Sequence, residues 1–154
     1  MREVKRNALV NFSPEQMFAL VADFERYPEF LPWIASARLL SSEGNEQIGQ
    51  LEMLRSGMRE KIVTCNTLTA PTHLHMHLLE GPFSMLEGDW RFTAILDTQG
   101  EPQGTRIELS IRFQFKNALL NMMLGRAFEA SCGSLVESFL LRANQIYQPG
   151  QPAM

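Results

Sequence analysis

The amino-acid sequence predicts an α+β fold in which a curved antiparallel sheet of about seven strands is covered by a long C-terminal helix. Three observations carry this expectation. From Ile34 to Phe115 turn residues cut the chain into short segments. Within those segments one parity is apolar and the other polar, the mark of a sheet with one covered and one wet face. After Phe115 the apolar residues change to helical spacing.

The elements follow in order. Residues Arg2 to Phe12 alternate, with Val4, Ala8, Val10 and Phe12 on one side, and read as a first strand. Ser13-Pro14-Glu15-Gln16 starts a helix, because Ser13 is a good N-cap, Pro14 suits the first helical position and Gln16 completes a capping box. Met17, Phe18, Leu20 and Val21 give that helix a buried face. A second short helical segment is expected from about Phe24 to Leu31, interrupted by Pro28 and closed by Pro32. Strands are expected at 34–42 and 46–55 around Glu43-Gly44-Asn45, and at 58–69 between Ser56-Gly57 and Ala70-Pro71. The remaining strands are 73–80, 84–96 and 104–116, separated by Gly81-Pro82 and by the polar run Asp97 to Pro102.

Strand parity selects one apolar face. It carries Leu51 and Met53; Leu74, Met76 and Leu78; Leu86, Trp90, Phe92, Ala94 and Leu96; and Ile107, Leu109, Ile111, Phe113 and Phe115. Glu52, His75, His77, Glu87, Asp89, Arg91, Glu108 and Arg112 point the other way. The cover is a helix over roughly 117–147 with Leu120, Leu124, Phe128, Leu135, Phe139 and Ile146 at helical spacing. At about 45 Å it would lie across the whole sheet.

The chain has 154 residues, 45% hydrophobic and 20% charged, which suits one compact unit and excludes wholesale disorder. A single domain is expected over 1–147, with 148–154 as a disordered tail. No apolar run reaches the roughly 18 to 20 residues of a transmembrane span, and the charged N-terminus does not read as a signal peptide. A cytoplasmic protein is expected, peripheral at the inner membrane at most. Cys65 and Cys132 are far apart without a CxxC motif, so reduced buried thiols are expected and a structural zinc site is unsupported. Fourteen basic against seventeen acidic residues give a net charge of −3, the wrong balance for broad binding to DNA.

Between sheet and helix there is either a solid core or a cavity. Gly125, Ala127, Ala130, Ser131, Gly133 and Ser134 make the first half of the helix slim, which favours room. Among nine methionines, Met53, Met58, Met76, Met85, Met122 and Met123 fall in segments around that space, and methionine adapts to irregular apolar guests. For any one of them, core filling remains the simpler role.

Tyr27-Pro28-Glu29-Phe30-Leu31-Pro32-Trp33 recurs in register with Gly81-Pro82-Phe83-Ser84-Met85-Leu86, Gly88-Asp89-Trp90-Arg91-Phe92 and a final helix ending Phe139 to Tyr147. This combination resembles the coenzyme Q-binding protein family of START-like, helix-grip proteins, whose bacterial members include those labelled ribosome association toxin. The resemblance covers about residues 1 to 147. It implies a strand, two short helices, six further strands and a long helix around an apolar tunnel. It also implies binding of ubiquinone or a similar polyprenyl lipid, as a carrier or chaperone for respiration and quinone biosynthesis, without catalysis and without a cofactor. The polyketide cyclase/dehydrase label carried by the superfamily describes a fold, and fold alone does not fix function. The absence of a transit peptide points to a bacterial source.

Carried over residue by residue, Tyr27 to Trp33 would form a movable entrance offering Phe30, Leu31 and Trp33 to a lipid or membrane, or else plug the end of the sheet. Phe83, Met85 and Leu86 would reach the tunnel wall, with Trp90 deeper. The candidate ligand-binding set is completed by Met53, Met76, Leu124, Phe128 and Leu135. No catalytic or metal-binding residue is assigned.

His73, His75 and His77 share one face of a strand, opposite in parity to Leu74, Met76 and Leu78. They read as a solvated row that takes up nickel or zinc only adventitiously. No GxSxG, HExxH, phosphate loop or CxxC motif occurs. Glu129 and Glu137 read as a solvated stripe. Arg142 suits the end of a helix or, alternatively, a quinone head group. Two other functions compete with lipid binding: a toxin-type regulator that binds the large ribosomal subunit and blocks subunit association, and a cyclase or dehydratase. The last would need an acid/base residue inside the cavity, which the inward parity scarcely supplies.

Overall fold

A computed structural model describes residues 1–55 and 57–147, with only the backbone of Arg55 and Met58. Ser56, the expected tail 148–154 and the Met58 side chain lie outside the described residues. The strands are β1 (Arg2–Val10), β2 (Ile34–Glu43), β3 (Glu46–Arg55), β4 (Met58–Thr69), β5 (His73–Glu80), β6 (Phe83–Leu96) and β7 (Pro102–Phe115). They form one seven-stranded sheet in the order β1-β7-β6-β5-β4-β3-β2, antiparallel throughout. The meander of hairpins read from the turn residues is therefore present, and β1 closes onto its far edge.

Between β1 and β2 lie helix α1 (Pro14–Ala22) and a 3-10 helix (Phe24–Glu29). The capping box is complete: Gln16 N–H donates to Ser13 Oγ at 3.1 Å, and Ser13 N–H donates to Gln16 Oε1 at 2.9 Å. The second segment is 3-10 rather than α and stops two residues short of Leu31, since Pro28 supplies no N–H to a longer ladder. Phe24 packs its ring where Gly49 of β3 has no side chain; a Cβ there would lie 2.4 Å from the ring.

The covering helix is not continuous. It is built as α2 (Ala118–Gly133) and α3 (Leu135–Tyr147) with Ser134 between them. Ser131 Oγ donates to Ala127 O at 2.9 Å and Ser134 Oγ to Ser131 O at 2.9 Å. Such serine bonds to the preceding turn compete with the helical ladder and bend it. Both halves lie against the sheet, burying Leu124, Phe128, Val136, Phe139 and Ala143. Ile146 is exposed instead, and Tyr147 closes the last turn by donating its hydroxyl to Gln16 O at 2.9 Å.

Two departures in β6 have local causes. A bulge between Phe83 and Met85 shifts the register, so that Phe83 faces Phe115 on the covered side while Met85 pairs with Gln114 on the wet side. Beyond Phe92, which meets α1 through an edge-on contact with Phe18 at 5.9 Å, the hairpin runs out from under its cover. Ala94 and Leu96, expected on the covered face, are exposed there. Among the described residues no helix is long and apolar enough to cross a membrane.

Candidate functional site

The covered face does not pack solid. A cavity of about 90 Å³ lies between the middle of the sheet and the junction of α2 with α3. Leu51, Ile62, Leu74, Met76 and Leu86 line its floor, Phe128 and Cys132 of α2 with Leu135 and Phe139 of α3 its roof, and Tyr27, Leu31 and Trp33 one end. That volume is below the ~150 Å³ in which a benzene ring is accommodated.

Aromatic rings brace both ends. Phe83, Phe113, Phe115 and Phe128 form one cluster, with Phe83 stacked on Phe115 at 4.5 Å and Phe113 edge-on to Phe128 at 4.7 Å. At the other end Phe139 meets Phe30 at 5.0 Å, Trp90 at 5.2 Å and Tyr27 at 5.5 Å, all edge-on. Arg142 of α3 lies over the Phe30 ring at 5.2 Å and donates to Glu29 at 2.5 Å. The 3-10 helix is thus clasped to α3 beside the cavity. The hydrogen bond from Arg142, outweighing the cost of desolvation, holds the Glu29 carboxyl below its ordinary range.

Of the twelve candidate ligand-binding residues, Leu31, Trp33, Met76, Leu86, Trp90, Phe128 and Leu135 surround this cavity. Phe30 does not line it but packs against Tyr27, Phe139 and Arg142. Met53, Phe83 and Leu124 are buried in the core around it, and Met85, alternating with the inward Leu86, faces away. The other methionines give less support to a cavity than expected, since Met122 and Met123 are exposed on α2. Nor do the helix glycines open the room. Gly125 and Gly133 instead accommodate the Arg2 and Arg6 side chains of β1, and Arg2 pairs with Glu129 at 2.6 Å.

Adjustable space comes from a glycine in the sheet. Gly88 faces inward on β6, and a Cβ there would stand 3.0 Å from Met76 Cε and 3.4 Å from Ile111 Cγ1. The flexible thioether end therefore rests where a side chain at 88 would be, and a rotamer change of Met76 enlarges the cavity. The polar handle is Thr64 and Asn66 on β4, both buried, with Thr64 Oγ1 donating to Asn66 Oδ1 at 3.0 Å. Their alternation with Ile62 on the inward parity was the signal in the sequence.

Two titratable groups on the lining, Tyr27 and Cys132, are held protonated. Burial pushes the Tyr27 phenol above its ordinary range, and its hydroxyl donates to Val21 O. Burial, with the Glu129 charge, pushes the Cys132 thiol up to about 12. Asp89 also borders the cavity, but its carboxylate is engaged by His73 and His75 on the wet face. Desolvation raises that carboxyl, yet the hydrogen bonds and charges of His75 and His73 outweigh it and hold it below the usual carboxylate range.

A curved sheet gripping two consecutive C-terminal helices over an apolar cavity defines a START-type, helix-grip protein. The chain belongs to the family described as polyketide cyclase / dehydrase and lipid transport, whose model matches residues 10–140. Over 147 residues it is 34% identical to the ribosome association toxin RatA of Escherichia coli K12, spanning 96% of this chain and 90% of that protein. It is 27% identical over 146 residues to the mitochondrial coenzyme Q-binding protein COQ10 homolog B of Xenopus laevis, covering 94% of this chain and 59% of that protein. Among solved structures, the Zhui aromatase/cyclase of Streptomyces sp. R1128 superposes with a TM-score of 0.84 at 17% identity over 99% of both chains. That likeness concerns the fold.

Proposed function

We propose that this chain is a non-enzymatic binding protein for a hydrophobic ligand, ubiquinone or a related polyprenyl lipid, acting as a carrier or chaperone in respiration and quinone biosynthesis. The observation that carries the reading is an apolar cavity with a buried Thr64–Asn66 pair on its wall. With Thr64 donating to its carbonyl, Asn66 retains an amide donor suited to a quinone carbonyl, while the apolar wall suits ring and tail. The resting volume is too small for the ring, so binding in this reading expands the site by moving Met76 and releasing the 3-10 helix from α3. The protonated Tyr27 and Cys132 support binding over proton transfer near neutral pH. Ligand exchange then takes place at the inner-membrane surface.

The test is mass spectrometry of an organic extract of gently purified protein, beside Gly88→Val, which obstructs the space shared with Met76. A quinone at near-stoichiometric amount in the parent and absent from the folded variant supports the carrier. Empty extracts, together with no thermal shift on adding ubiquinone, overturn it.

A second reading draws on the 34% identity to a protein named for ribosome association. Here the chain acts as a toxin-type regulator that contacts the large ribosomal subunit and blocks subunit association. Co-sedimentation with isolated large subunits at moderate salt supports it, and its absence removes it.

A further inference from the structure

We propose that His73, His75 and Asp89 form a binding site for one divalent transition-metal ion of the zinc class on the outer face of the sheet. The geometry begins with strand alternation, which puts His73, His75 and His77 on that face of β5. Register then sets His75 directly across from Asp89 of β6, while His73 is across from Arg91. The two imidazoles converge on a single carboxylate oxygen: His73 Nε2 is 2.7 Å and His75 Nδ1 2.9 Å from Asp89 Oδ1. All three donor atoms lie within 4.8 Å of one another.

Two imidazole nitrogens and a carboxylate oxygen are borderline donors, matched to zinc, cobalt, nickel and copper rather than to magnesium or calcium. Zinc takes nitrogen and oxygen ligands at about 2.0–2.2 Å, which puts tetrahedral donors about 3.3 Å apart. The present contacts need to open by roughly half an ångström, within the rotamer freedom of three partly exposed side chains. A metal would replace the protons through which both rings now meet Asp89.

The carboxylate is already oriented from behind. Arg112 of β7 lies 3.7 Å from Asp89 Oδ2 and is itself paired with Glu87 at 2.7 Å. Such outer partners orient a ligand and tune the site. The side chains of His73, His75 and Asp89 are 27%, 31% and 17% exposed, sheltered yet open to solvent for a fourth ligand. His77 stands further along β5, its ring 6.1 Å from that of His75, and is outside the cluster. The inward neighbours of Asp89 are Gly88 and Trp90, so the metal and the apolar cavity occupy opposite faces of the same strand. The proposal is independent of which ligand the cavity takes.

The experiment titrates untagged, metal-stripped protein with Co2+, reading its visible ligand-field bands, and then displaces the Co2+ with Zn2+. One equivalent should bind saturably, His75→Gln and Asp89→Asn should each weaken binding about tenfold or more, and His77→Gln should leave it unchanged. His73→Gln serves as the third ligand variant, and circular dichroism confirms that each variant is folded. No saturable band overturns the site. So does binding that survives in the ligand variants, or that falls as much in His77→Gln as in His75→Gln.

Discussion

At the scale of single residues, Thr64 and Asn66 matter because a buried polar pair is costly to split and cheap to remove whole. Thr64→Val leaves Asn66 Oδ1 without its donor in an apolar wall and is expected to destabilise the fold by about 1–3 kcal/mol. Adding Asn66→Leu should recover most of that loss, because both polar groups are then gone. Urea unfolding of the parent, the single and the double variant measures this. The same double variant should lose quinone retention if Asn66 is the carbonyl donor. Cys132 makes a second prediction. Burial favours its protonated form, so the folded chain holds that proton more tightly than the unfolded chain does. Its contribution is intact below the ordinary thiol range near ~8.5 and is lost as pH rises toward about 12. Burial acts on Tyr27 in the same direction. The urea midpoint should therefore be flat from neutral pH to about 8 and fall above about 9. Cys132→Ala should flatten part of that decline.

At the scale of elements, close approaches distinguish glycines that look alike in sequence. Gly49→Ala drives a Cβ to 2.4 Å from the Phe24 ring, whose packing holds the 3-10 helix on β3, and overpacking of this kind costs about 1–3 kcal/mol. Gly133→Ala meets only the end of Arg6, at 2.8 Å, which can swing away, so it should be near neutral or stabilising. Thermal melts of the two variants separate them. Arg142 joins two elements through Glu29 and Phe30. Arg142→Gln should speed amide exchange through residues 24–33 while leaving the β6–β7 ladder protected, as measured by hydrogen exchange.

These elements also show what sequence can convey. Strand limits were legible because turn residues mark them, and α1 because its capping box is local. The bulge after Phe83 was not, because a bulge is a property of pairing between strands, and it is what brings Phe83 to the same covered side as Leu86. The break at Ser134 was hidden for a related reason, since serines in a helix do not announce which carbonyl they bond. Around the cavity, Leu74, Met76, Leu86 and Trp90 were legible from strand parity and Phe128, Leu135 and Phe139 from helical spacing, while Leu31 and Trp33 came with the family resemblance. The hydrogen bond within the cavity's polar pair, and the partnership of His73 and His75 with Asp89, required the packed sheet.

At the scale of the molecule, ligand binding should appear as stability. A ligand that binds only the folded chain adds RT ln(1 + [L]/Kd), about 2.7 kcal/mol at a hundredfold excess over Kd. For a chain of this size that corresponds to a rise in melting temperature on the order of 5–10 °C. Ubiquinone analogues should produce such a shift in the parent and none in Gly88→Val, measured by calorimetry.

The sheet order bears on how the chain reaches this state. Hairpins β2–β3 through β6–β7 each join neighbours in sequence, so they can assemble in the order of synthesis. β1 cannot, because among the described residues it pairs with β7 at the sheet edge, Arg2 lying across from Phe113. The first strand made must wait until nearly the whole domain has emerged, and closing that long loop costs more chain entropy than forming any hairpin. During the wait the free edge of β7 offers the same hydrogen bonds to β1 of another copy, so an exchanged dimer is the expected competing product at high concentration.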